Sequence, residues 1–147
     1  AKRICNQPSL EMVERHGEQP KSIYCENIDS EIAAIADLIK KFKEGGNASL
    51  GIVVKTGADA KRLYDLLSGE HQVHLISQDS TRFTNGVSIT SIRMAKGLEF
   101  DEVIVPDVDN RNYSSDYDRN LLYIACTRAM HKLILFYAGS PSPFLPQ

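Results

Sequence analysis

Leu50-Gly51-Ile52-Val53-Val54 is apolar at every position and rich in β-branched residues. A strand with no polar face must be covered on both sides. Helices that connect parallel strands supply that cover. Val103–Val105 and Leu133–Tyr137 repeat the pattern. Helical spacing stands between such runs: Ile32, Ile35, Ala36, Leu38, Ile39 and Phe42 lie on one face, as do Ala60, Leu63, Leu66 and Leu67 in an Ala58–Leu67 helix. Asn27 or Asp29 can cap the first helix, Glu31 sits in its first turn, and Gly45-Gly46 stops it. Val73–Ile76 and the alternating Val87–Ile92 add two strands. Asp107–Ser115 reads as a polar loop, and Asp116 or Asp118 as the cap of a helix running to about Met130. Strands alternating with helices predict an α/β fold, a mainly parallel sheet between two helical layers. Ligands of such sheets gather beyond the C-terminal ends of the strands, where Lys55-Thr56-Gly57 and Arg93–Gly97 both fall.

The chain has 147 residues, enough for one domain with a full core, and a net charge of −2. Nucleic-acid binding therefore has to be local or shared with another domain. Cys5, Cys25 and Cys126 form no CxxC pair, which argues against a zinc ribbon or disulfide framework and for a reducing, cytoplasmic setting. No apolar run approaches the roughly 18 residues that span a bilayer. The first residues, Ala1-Lys2-Arg3, lack an initiator Met, and the chain reads as a C-terminal piece of a longer protein. Its expected organisation is a connecting segment over 1–21, a domain over 22–138 and a Pro-rich tail over 139–147.

Two segments carry candidate chemistry. Arg93-Met94-Ala95-Lys96-Gly97-Leu98-Glu99-Phe100-Asp101 follows a strand, and Leu121-Leu122-Tyr123-Ile124-Ala125-Cys126-Thr127-Arg128-Ala129 ends a helix. A phosphate-cradling loop is missing: Gly46 and Gly51 have P-loop spacing, but Ile52 and Val53 stand where lysine and a hydroxyl are required. The acids Asp101, Glu102, Asp107, Asp109, Asp116 and Asp118 read as a solvated loop and a helix N-terminus. No metal-ligand pattern is visible, and His16, His71, His74 and His131 read as surface or packing residues. Cys126 reads as core.

The two segments in series resemble the last two motifs of the UvrD/Rep-like superfamily 1 helicases. Gly51-Ile52-Val53-Val54-Lys55-Thr56 with Lys61, Leu63 and Leu67 is similar to that family's fourth motif, and Gly17-x-x-Pro20 to the entry of its second motor domain. The resemblance covers nearly the whole chain. It implies a RecA-like three-layer sandwich, domain 2A, which has a P-loop NTPase fold without its own P-loop. It further implies that Arg128 reaches across to the γ-phosphate of ATP as a catalytic arginine. Glu99 would contact the nucleotide near the ribose, and Gly97 would shape that motif. Lys55 stands where many relatives carry a second γ-phosphate arginine. Ser91 and Arg93 replace the usual Thr-x-His that faces single-stranded DNA. ATP with Mg²⁺ is the implied cofactor, its metal ligands on an N-terminal RecA-like domain absent from this chain. The chain alone would then be inactive.

The segment Ser68–Gly86 is too short for the large 2B insertion of many relatives. This compact form resembles the helicase IV/HelD subgroup, some members of which act on RNA polymerase. Two other readings stay open at this point. One is an ATP-switched module that docks RNA polymerase without unwinding duplex. The other is a self-contained receiver-type domain that binds magnesium through Asp107 and Asp109.

Overall fold

The computed structural model describes residues 19–78 and 85–145. Most of the expected connecting segment, Gly17 included, and the last two tail residues lie outside that range. The elements run β1 (Lys21–Cys25), α1 (Ile28–Glu44), β2 (Ser49–Val54), α2 (Gly57–Leu67), β3 (His74–Leu75), β4 (Gly86–Ser91), β5 (Phe100–Val105), α3 (Asp116–Cys126) and β6 (Ala129–Ala138). The six strands form one sheet in the order β1-β6-β5-β2-β4-β3. Among the described residues every strand pairing is parallel, so the expected α/β architecture is present.

Alternation along the strands divides the core in two. Ile52, Val54, Ile89, Ile104 and Phe136 pack against Ile35, Ile39 and Phe42 of α1 and Leu63 and Leu67 of α2. Val53, Val103, Val105, Leu133 and Leu135 face the other way, onto Leu122, Ala125 and Cys126 of α3. Each buried aliphatic contributes roughly 1.5–3 kcal/mol, so both layers are needed. At Gly51 an added Cβ would fall inside the van der Waals surface of the buried Phe100 ring, which explains glycine in the middle of a strand.

Local signals explain the helix starts. Asn27 Oδ1 accepts the Ser30 N–H at 2.8 Å, and Gly45 donates back to Phe42 at 3.0 Å. The cap of α3 is neither Asp116 nor Asp118 but Ser115. Its Oγ accepts the Asp118 N–H at 3.0 Å, and Asp118 Oδ2 accepts the Ser115 N–H at 3.1 Å, a reciprocal capping box.

Three other expectations are corrected. α3 stops at Cys126 rather than Met130, because Ala129 pairs with Phe100, and β6 therefore starts four residues before Leu133. Arg128 thus lies in the turn between α3 and β6, not on the helix. The strand expected at Val73–Ile76 shrinks to His74–Leu75. The 107–115 loop is not simply solvated: Val108, Asp109 and Tyr113 are buried in it. The tail docks on this loop. Ser142 Oγ donates to the Tyr113 carbonyl at 2.6 Å, Leu145 enters the α3-side core, and Pro141 bridges Asp109.

Candidate functional site

In a parallel sheet all strand starts lie on one edge and all strand ends on the other. Glu99 immediately precedes β5, and Arg128 immediately precedes β6, so these two share the N-terminal edge. Lys55 follows β2, and Ser91 and Arg93 sit at the end of β4, so these three share the C-terminal edge. Strands of this length separate the edges by about 20 Å. The structure therefore brings Arg128, Glu99 and Gly97 together, brings Ser91 and Arg93 together, and does not bring Lys55 to Arg128.

At the N-terminal edge the two motifs touch. Arg128 Nη1 donates to the Leu98 carbonyl at 3.2 Å, and Nη2 donates to Thr127 Oγ1 at 3.2 Å. Thr127 Oγ1 in turn donates to the Ile124 carbonyl at 2.8 Å, closing the last turn of α3. The Phe100 N–H donates to the Arg128 carbonyl at 2.9 Å, which sets the height of the arginine against β5. Arg128 Nε is buried and has no partner among the described residues. A guanidinium offers five N–H donors in a planar fork, so donors remain for an anion. Gly97 has φ +85°, a conformation costly for any residue with a Cβ, and it turns the chain so that Leu98 tucks in while Lys96 and Glu99 stay exposed.

At the C-terminal edge a cavity of about 440 Å³ is lined by Gly57, Ala60, Ser77, Ser91, Arg93 and Met94. Ser91 Oγ accepts the Met94 N–H at 3.2 Å, which holds the turn after β4, and its own hydrogen is available to donate. Thr56 caps α2 by accepting the Asp59 N–H at 3.1 Å, so the start of a helix reaches the same cavity.

Lys55 belongs to an internal network. Its ammonium lies 2.8 Å from Asp118 Oδ1, donates to the Asn112 carbonyl and stands 5.4 Å from the centre of the Tyr113 ring. Burial alone would raise the Asp118 carboxyl. Hydrogen bonds from Lys55, the Ser114 and Ser115 N–H groups and the Ser115 hydroxyl outweigh it and hold the group down at about 2. Lys55 thereby ties β2 to the cap of α3 and to the 107–115 loop.

A second acidic feature has no counterpart in the motifs. Glu31, 2% exposed, accepts the Asp107 N–H on Oε2 at 2.7 Å, while the buried Oε1 receives no N–H donor among the described residues, and the Glu31 and Asp107 carboxyls hydrogen-bond each other. Burial, and then the charge of Asp107, push the Glu31 carboxyl up to about 8, and Asp107 is raised as well. Asp107 is held at φ +59°. Sequence reading took Glu31 as an ordinary first-turn acid. The missed signal was its spacing: Glu31, Ile35 and Phe42 lie on one face of α1, which puts a carboxyl on the apolar stripe.

The family model of the UvrD-like helicase C-terminal domain matches residues 86–136. A comparison with curated proteins finds no match. Among solved structures, the C-terminal domain of a possible DNA helicase from Lactobacillus plantarum WCFS1 is 32% identical over 88% of this chain and 80% of that one, with a TM-score of 0.78. An arterivirus nonstructural protein 10 helicase, solved in complex with DNA, aligns with 83% of this chain at 13% identity and a TM-score of 0.53. This chain spans 31% of that viral helicase, and the similarity there is one of fold alone. Among the described residues no helix is long and apolar enough to cross a membrane. The chain belongs to the family of UvrD-like helicase C-terminal domains.

Proposed function

We propose that this domain is the second motor domain of an ATP-dependent DNA helicase or translocase of the compact helicase IV/HelD form. It completes, from its N-terminal strand edge, an ATP site whose P-loop and Mg²⁺ ligands sit on another RecA-like domain. The observation that carries this reading is the contact of the Arg128 guanidinium with the Leu98 carbonyl, which makes one surface of the two motifs. The Nη hydrogens not used in its two hydrogen bonds suit an anion. The absence of a P-loop in the sequence fits a half-site rather than a whole one.

ATP bound on that partner domain supplies the phosphoryl chemistry. Closure of the two domains would carry Arg128 to the γ-phosphate. There a fixed guanidinium offsets charge that builds on the equatorial oxygens, as arginine fingers do. Glu99, exposed beside it, would accept hydrogen bonds from the ribose hydroxyls. Ser91, Arg93 and the start of α2 would hold phosphates of a single nucleic-acid strand at the opposite edge. Lys55 serves as a brace, through Asp118 and Asn112.

The test is turnover. This chain alone should hydrolyse no ATP, whereas the protein containing both motor domains should do so, faster with single-stranded DNA. Turnover by the isolated chain, or a two-domain protein indifferent to Arg128, would refute the reading. Stimulation by RNA polymerase and not by DNA would move the function to remodelling of that enzyme.

A further inference from the structure

A cavity of about 380 Å³ opens at the C-terminal edge, between α1 and α2 and over the ends of β2 and β5. These two neighbouring strands send their connections to opposite faces: β2 leads to α2, and β5 leads to α3. Such a switch point is where α/β sheets hold ligands. The walls are aliphatic, from Ile32, Ile35, Val54 and Leu63. At its mouth stand Ile28 and Leu66, large apolar side chains left 46% and 59% exposed. Glu31 and Asp107 also line it, their carboxyls sharing a hydrogen bond, and the buried Glu31 Oε1 receives no N–H donor among the described residues.

The two arginines on the wall do not serve that oxygen. Arg62 is ion-paired with Asp59 within α2, and the exposed Arg111 lies 3.9 Å from Asp109. Among the described residues no three acidic, His or Cys groups converge as a metal shell, so a bare cation is disfavoured. Phosphate-bearing guests are disfavoured by the acid pair itself. The geometry points to the arginine side chain of a partner protein: an aliphatic stem passing Ile28 and Leu66, and a planar guanidinium bridging Glu31 Oε1 and the Asp107 carboxylate. The exposed apolar mouth favours a protein surface over a free amine, because it is buried only when a broader partner covers it. This goes beyond the helicase reading and does not depend on it.

The groups facing Glu31 are Cys25 from β1, Asp107, Asp109 and Arg111 from the loop after β5, and Asp59 and Arg62 from α2. A guanidinium would favour the ionised Glu31, so affinity should rise with pH, about tenfold between roughly pH 6.5 and 9. The experiment is an NMR titration of the whole chain with butylguanidinium, a Gly-Arg-Gly peptide, spermidine and AMP. We expect saturable shifts at the amides of Glu31, Leu63 and Asp107 with the first two, with Kd on the order of 10 mM for so small a probe. Glu31→Gln should weaken both about fivefold or more, the loss of a charge-assisted pair. Leu66→Gln, at an exposed position that leaves the fold alone, should weaken the peptide by about twofold through lost stem contact. Failure to saturate, equal affinity in a folded Glu31→Gln chain, or tighter binding of spermidine or AMP than of the peptide would overturn the proposal.

Discussion

The two edges of the sheet are built on different physical plans. At the N-terminal edge, Arg128 is held by two neutral hydrogen bonds, to a carbonyl and a hydroxyl. Among the described residues no acid is ion-paired with it. At the C-terminal edge the charges are dense, partly buried and paired: Lys55 with Asp118, Arg62 with Asp59, Glu31 with the Asp107 backbone. An arginine proposed to bind a phosphate is best left without a competing carboxylate, since an internal ion pair would have to break first. A lysine already satisfied by Asp118 is correspondingly poor at that task. The difference teaches that a cation's position in a motif says less about its role than the partner the fold has given it.

The strongest way to break this comparison is Arg128→Ala in the protein carrying both motor domains. ATP turnover should fall about 10³-fold or more, as on loss of an arginine finger, while the melting temperature of this domain hardly moves. A large loss of stability with turnover intact would reverse the roles assigned to the two edges. Next comes Asp118→Ala. It strands the Lys55 ammonium and removes half of the capping box, and should cost about 3 kcal/mol in chemical denaturation. Lys55→Met should cost less, because the capping box survives.

The third effect is a pH profile. Glu31 rises in the folded state from 4.5 to about 8, so its contribution is full below about pH 4.5 and is lost as pH rises through about 8. Asp118 has the opposite sign: its contribution is present above 3.8 and is lost as pH falls toward about 2. Thermal stability should therefore decline between about pH 5 and 8, by roughly 5 °C or more, and Glu31→Gln should flatten that limb alone. The smallest effect is Arg93→Ala, which should weaken single-stranded DNA binding a few-fold and reduce the salt slope by about one, the signature of one lost phosphate contact.

Local chemistry was legible and long-range chemistry was not. The Asn27 cap, the Gly45 stop, the apolar faces of α1 and α2 and the buried β2 are written in neighbouring residues, and the fold follows them. The end of α3 is not. Ala129, Met130 and His131 carry no strand signal, and they extend because Phe100 and Glu102 on β5 offer them backbone partners. The sequence sets Lys55–Gly57 and Arg93–Gly97 on one edge; in the sheet Lys55 and Arg93 share that edge, while Gly97 lies at the opposite one, just before β5. Glu31 went unnoticed because a first-turn acid is ordinarily solvated, and only the loop after β5 buries it. Tyr113 was hidden in the same way, within a run of polar residues.

Residues 92–99 join the end of β4 to the start of β5, crossing over β2 on the way. Ser91 and Arg93 stand where this crossover begins, and Glu99 and the Leu98 carbonyl held by Arg128 stand where it finishes. Its middle is pinned by buried Ile92 and Ala95, with Leu98 packed beside them, so it cannot stretch or slacken without disturbing the core. The core therefore fixes the spacing between the two ends, as a spacer does between two plates.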